Sequence, residues 1–266
     1  MIISVLVNGK GAKMKNEEKF LERIPTDFAY KIVKCLRDAL EDDVIAYKES
    51  TKLATYNGLP FQKCDYINTH LQNHLSSTNI EVIPFKRFNW ESRIVIDRTN
   101  KLAYNVISKN RLQQLIKNFN DATVPHYAVL FAYALNGDIE APQKQIGIFD
   151  NYPYARDIME EGYDKLLGGQ VLRNEGYRYC IVTYEVNAGQ LYSSEALFLD
   201  KELDLIERVS LTEYIRPDYA KLTTQDETET EDKTQNKLRR VTLKKKIVNF
   251  DDSSLLVLKG EEEQKA

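Results

Sequence analysis

The sequence predicts an α+β fold, a mainly antiparallel sheet with helices packed on one face, followed by a charge-segregated C-terminal tail. Three observations predict it. Apolar residues recur at helical spacing in separate segments. Between these lie short alternating segments joined by tight-turn sequences, which only antiparallel neighbours allow. The regular strand–helix–strand alternation of a doubly wound parallel sheet is missing.

The elements follow in order. Residues 1–16 read as a leader or a short first strand that ends at Asn8-Gly9. Thr26 is placed to cap a helix to about Asp42, because Phe28, Ile32, Cys35, Leu36 and Ala39 form one stripe. A second helix is expected from Cys64 or Asp65 to Ser76, with Ile67, Leu71 and Leu75 as its stripe. Strands are expected at 80–85, 93–97 and 102–107, the last two joined by the turn Arg98-Thr-Asn-Lys101. Ser108 caps a helix carrying Leu112, Leu115, Ile116 and Phe119. The apolar run His126–Leu135 reads as a strand closed by Asn136-Gly137-Asp138 and paired with Gln145–Phe149. A helix is expected over 154–167, ended by Gly168-Gly169.

Tyr177–Val186 alternates most clearly. Cys180, Val182, Tyr184 and Val186 face one way, and Tyr177, Tyr179 and Ile181 the other, which suits a central strand covered on both sides. Asn187-Ala-Gly-Gln190 turns it into 191–199, and a last strand covers 205–209. One domain thus spans 17–221. In 222–266 the period is lost, and acidic residues from Asp226 to Asp232 precede basic ones from Lys237 to Lys246. Such segregation reads as a disordered or conditionally ordered tail. Its apolar clusters 247–250 and 255–258 are suited to adding a strand to a sheet edge.

Composition narrows the function classes. With 42% hydrophobic and 29% charged residues, a collagen-like or membrane-embedded chain is excluded. A net charge of -3 disfavours a globally basic nucleic-acid binder. Cys35, Cys64 and Cys180 are odd in number and widely spaced, and the apolar start is too short for a secretory signal or a membrane span. The protein is therefore expected in the cytoplasm, with its thiols reduced.

Chemistry-bearing motifs are sparse. His70 and His74 share a helix face at the spacing of a two-histidine metal clamp, but no third ligand stands at a diagnostic position. Asp97 and Glu185 end strands, and two strand-end carboxylates would hold the Mg²⁺ of a nuclease. The accompanying Glu-x-Lys pattern is incomplete, and no other cofactor is implied. Phe85-Lys-Arg-Phe-Asn-Trp90 interleaves aromatic and basic groups. Phe88 and Trp90 would stack on bases or anchor a partner while Lys86 and Arg87 meet phosphates. Lys237, Arg239, Arg240, Lys244, Lys245 and Lys246 form a second basic site for a polyanion.

The skew to 16 tyrosines against 10 phenylalanines favours an interface with a protein partner. The Lys-, Asn-, Tyr- and Ile-rich texture resembles proteins of low-GC bacteria or their phages. Together these point to a non-enzymatic accessory protein of a mobile element or of phage defence. The alternative is a divalent-metal nuclease or another nucleic-acid-binding protein.

Overall fold

The computed structural model describes residues 19–141, 152–167, 169–171 and 173–215, all within one unit, Met1–Pro217. The expected N-terminal strand, the strand at 145–149 and the tail at 222–266 lie outside the described residues.

A 3-10 turn at Leu21–Arg23 leads into α1, Thr26–Arg37. Pro25 holds the extended cap position, so Thr26 is the first helical residue rather than the cap. A π turn at Asp38–Asp42 closes the predicted span, and the rod continues beyond it as α2, Asp43–Thr51. The wider π turn brings Ala39 and Leu40, adjacent in sequence, into the core together. The next helix, α3, spans Leu59–Leu75 and starts earlier than expected, with Pro60 in its first turn. Proline suits that turn because its missing N–H has no helical partner there. Ile67, Leu71 and Leu75 are its buried stripe, as their spacing predicts.

Six strands follow: β1 Ile80–Arg87, β2 Trp90–Asp97, β3 Leu102–Ser108, β4 Arg178–Asn187, β5 Gln190–Leu199 and β6 Leu205–Ser210. They form one sheet in sequence order, antiparallel except for the parallel pair β3–β4. Two hairpin meanders thus meet edge to edge. A parallel join needs a long crossover, and this one carries α4 Lys109–Lys117, α5 Tyr127–Asn136 and α6 Arg156–Leu167. Among the described residues, no helix is long and apolar enough to cross a membrane.

The helices cover both faces, not one. Val82, Val95, Tyr104, Cys180, Val182 and Phe198 pack under α1 and α3. Ile83, Ile94, Ile96, Ala103, Tyr179 and Ile181 pack under α5 and α6. The two-sided alternation of Tyr177–Val186 is the reason, because a strand apolar on both faces needs two covering layers.

The expected strand at His126–Leu135 is instead helix α5. Its residues are buried nearly all round, from Tyr127 to Ala132 and again at Leu135 and Asn136. A helix enclosed on every side has no polar face, so its sequence shows neither period. Asn136, expected in a turn, is the last helical residue and fully buried. Its Nδ2 donates to the carbonyls of Tyr179 (2.9 Å) and Leu199 (2.7 Å), and its Oδ1 accepts from Tyr179 N–H (2.9 Å). One side chain thereby fixes the end of α5 against β4 and β5.

The sheet also forks. β1 and β2 pair along their whole length, from Ile80–Asp97 to Arg87–Trp90. β2 and β3 pair only from Val95–Tyr104 to Asp97–Leu102. Beyond that the strands part, and Asn105 Nδ2 reaches across to the Arg93 carbonyl at 2.9 Å.

Replacing Asn136 by alanine leaves three buried backbone groups without a partner. At about 1–3 kcal/mol for each orphaned group, partly offset by relaxation, Asn136→Ala is expected to cost about 3 kcal/mol in urea unfolding. An unchanged midpoint would contradict the role given to this clamp.

Candidate functional site

The fork opens into a cavity of about 710 Å³. The end of β3 forms its floor with Val106, Ile107 and Ser108, and β2 supplies Trp90 and Ser92. The first turns of α3 close one side with Pro60, Phe61 and Cys64. On the other side stand Arg111 of α4 and the start of α5, His126 and Tyr127. Residues from both faces of the sheet meet here because β2 no longer separates them.

The electrostatics are one-sided. Arg87 ends β1, and its guanidinium donates to the Pro125 carbonyl and lies 5.1 Å from the Phe88 ring centroid. Arg111 donates to Gln114 Oε1 at 3.4 Å. Among the described residues neither arginine forms an ion pair with a carboxylate. Burial, and then Arg111, hold the Arg87 pKa below its ordinary value. Ser108 Oγ caps α4 by accepting from Arg111 N–H at 3.3 Å. The positive N-terminal ends of α4 and α5 both meet this cavity.

His126 caps α5, with Nδ1 accepting from Ala128 N–H at 3.2 Å. That acceptor role leaves the neutral ring's proton on Nε2. Burial first, then Arg111 and Arg87, push its pKa down to about 3. The imidazole is thus a neutral donor between two cations. Tyr127 and Tyr184 also line the cavity, and among the described residues neither hydroxyl has a hydrogen-bond partner. Burial raises the pKa of both phenols and of the Cys64 thiol.

The rim is aromatic. Phe61 and Trp90 lie 5.9 Å apart, centroid to centroid. Phe88 occupies the two-residue turn between β1 and β2, with φ +53° and 75% of its surface exposed. A bulky residue in the left-handed region is strained, and an exposed phenyl gains nothing from burial to offset it. The same conformation recurs at Lys52, Lys101, Ala188 and Leu203.

The residues singled out in the sequence divide as follows. Arg87, Phe88 and Trp90 line the cavity together. Lys86 does not, because alternation along β1 turns it to the opposite face. Lys237, Arg239, Arg240, Lys244, Lys245 and Lys246 lie outside the described residues.

Asp97 and Glu185 do not converge. Asp97 is in register with Leu102 and so with Arg178, seven residues before Glu185 along β4. At about 3.3 Å per residue that separates them by about 23 Å, far beyond the reach of one ion. Asp97 instead fixes its hairpin, accepting from Thr99 N–H (3.0 Å), Asn100 N–H (2.9 Å) and Asn100 Nδ2 (2.7 Å). Glu185 accepts from Lys109 Nζ (2.9 Å) and Ser193 Oγ (3.0 Å).

His70 Nε2 pairs with Asp43 at 2.8 Å and its ring stacks on His74 at 5.4 Å. Among the described residues no three His, Cys, Asp or Glu side chains gather as metal ligands. Phe61, Arg111, Tyr127 and Tyr184 belong to the site without standing in any motif of the sequence. Arg111 alone carries a readable signal, being the cation three residues after the Ser108 cap.

The model of a family described as of unknown function, DUF5986, matches residues 21–257. No curated protein and no solved structure matches the chain.

The His126 shift has a consequence for stability. Between its ordinary value of 6.5 and about 3, the unfolded chain binds a proton that the folded chain does not. Folding therefore weakens as pH falls through that window, and His126 has no effect above it. His126→Asn keeps a capping acceptor and removes the titration. Urea unfolding from pH 6 to 4 should show a slope shallower by up to one proton, whereas an unchanged slope would place His126 in water.

Proposed function

The chain belongs to DUF5986, and we propose that it binds a phosphorylated aromatic small molecule of nucleotide chemistry in the forked end of its sheet. One observation carries this reading. Two arginines without carboxylate partners among the described residues stand in the wall of a cavity whose other lining residues are aromatic, apolar or uncharged polar, with no carboxylate among them. Cations placed side by side repel each other and are costly to desolvate. An anionic group between them relieves both costs. The flat surfaces of Phe61 and Trp90 offer a ring about 1–3 kcal/mol of stacking.

Position and size support the same reading. The cavity lies at the carboxyl end of β3, where its parallel partner β4 contributes Tyr184, and open sheets with helices on both faces usually take ligands near the carboxyl ends of parallel strands. Its 710 Å³ suits a ligand of one or two rings with a phosphate. The hydroxyls of Tyr127 and Tyr184 are available to the edge of a base. Of the functions to which the sequence points, this comes nearest to nucleic-acid binding, narrowed to a nucleotide-sized unit.

The accessory-protein reading keeps less support. Tyr163, Tyr177 and Tyr179, part of the tyrosine excess that motivates it, are at most 2% exposed and fill the core. An accessory role in a bacterial or phage system is compatible with a nucleotide-binding module. A cytoplasmic location fits Cys35, Cys64 and Cys180, all unpaired thiols.

Trp90 is the only tryptophan, so its fluorescence reports on this cavity alone. Titration with AMP, GMP, CMP and UMP should give a saturable change for at least one of them. Arg87→Ala and Arg111→Ala should each weaken it about tenfold or more, since a charge-assisted hydrogen bond contributes about 1.5–3 kcal/mol. No saturable change with any of the four up to millimolar concentration would overturn the reading.

A further inference from the structure

The cavity does not end at its cationic wall. Arg87, Arg111 and His126 also line a second cavity of about 180 Å³. The same three groups thus form a partition with space on both sides. Behind it stand Leu115, Asn118 and Phe119, with Val124 and Tyr154. The Tyr154 hydroxyl donates to the Phe119 carbonyl at 3.1 Å, which fixes that wall.

A terminal phosphate seated between the arginines would leave the second cavity without an occupant. A phosphate esterified on both sides would fill both. We propose that the ligand is a small phosphodiester, with one base in the large cavity, the diester at the partition, and the second sugar or ring in the small cavity. The inference rests on the nucleotide reading and deepens it.

Dimensions favour a small second group. The second cavity, at about 180 Å³, is about a quarter of the 710 Å³ of the first. That suits one sugar or one planar ring, and the exposed Val124 marks where this cavity meets solvent. The donors match a diester as well. Two guanidinium groups and the Nε2–H of His126 can reach its two non-bridging oxygens, and none needs a proton from the ligand. Asn118 adds an amide to the second chamber, and Phe119 an aromatic face.

Calorimetric titration separates the possibilities, with AMP, the dinucleoside monophosphate ApA and a ten-residue oligoadenylate as probes. ApA should bind at least tenfold more tightly than AMP. Leu115→Phe on α4 and Val124→Phe in the loop before α5 both fill the second cavity. Val124 is 53% exposed, so the fold tolerates its change. Either variant should abolish the advantage of ApA and leave AMP affinity within about twofold of the parent.

ApA binding no tighter than AMP, or an advantage that survives both variants, would overturn the diester while leaving the nucleotide reading intact. Oligoadenylate binding more than tenfold tighter than ApA would overturn the small ligand in favour of a strand. Failure of all three probes would overturn the diester, and the nucleotide reading falls with it if GMP, CMP and UMP are also silent.

Discussion

The fork between β2 and β3 is the constraint on which the site depends. A sheet normally keeps its two faces apart. Here β2 stays paired with β1 while β3 stays paired with β4, and the strands between them separate beyond Val95 and Tyr104. Backbone pairing on each outer flank leaves the inner edges free to part. Asn105 stands at the opening, with its amide on the Arg93 carbonyl and its Oδ1 buried without a partner among the described residues. The parallel join of the two meanders then dictates what surrounds the gap. The chain must leave β3 by a helix, so the Ser108-capped start of α4 lies at the open end. The return through α5 brings the His126-capped start of a second helix to the same place.

Cationic charge gathers where the sheet opens. Arg87 closes the β1–β2 turn, and its neighbour Phe88 sits in a backbone region that suits glycine. His126 stays neutral between two cations, and two phenols keep their hydroxyls without partners among the described residues. The proposed ligand, with an anion and a flat ring, would match the two cations and the open hydroxyls. Away from the fork, several charged groups are paired with opposite charges. Arg178 forms a two-pronged pair with Asp138 at 2.6 and 2.8 Å, and Arg98 reaches Glu81 at 2.7 Å.

Much of this fold is legible in the chain. The turns at 98–101 and 187–190, the Ser108 cap and the two-sided alternation of β4 follow from local chemistry, and the structure has them at those positions. The α5 segment reads as a strand because enclosure on all sides erases the amphipathic pattern, and its alanines at 128, 132 and 134 are the remaining helical signal. The parallel β3–β4 pairing joins residues far apart in sequence, and no local pattern encodes it. For the site, the segment Phe85–Trp90 is marked by its interleaved aromatics and cations. The separation of Lys86 from Arg87 follows from strand period alone. The convergence of Arg111, Tyr127 and Tyr184 on that segment is tertiary, and so is the distance between Asp97 and Glu185.

In the proposed complex the open end of the sheet holds a nucleotide, with its ring on the Phe61–Trp90 side and its phosphate between Arg87 and Arg111. A crystal grown with a bromine-substituted nucleotide tests it directly, because anomalous scattering locates the bromine without reference to any assumed pose. The account predicts a bromine peak against Phe61 and Trp90, with phosphate density within hydrogen-bond reach of both guanidinium groups. A bromine peak elsewhere on the protein, with the forked cavity holding only water, would contradict it.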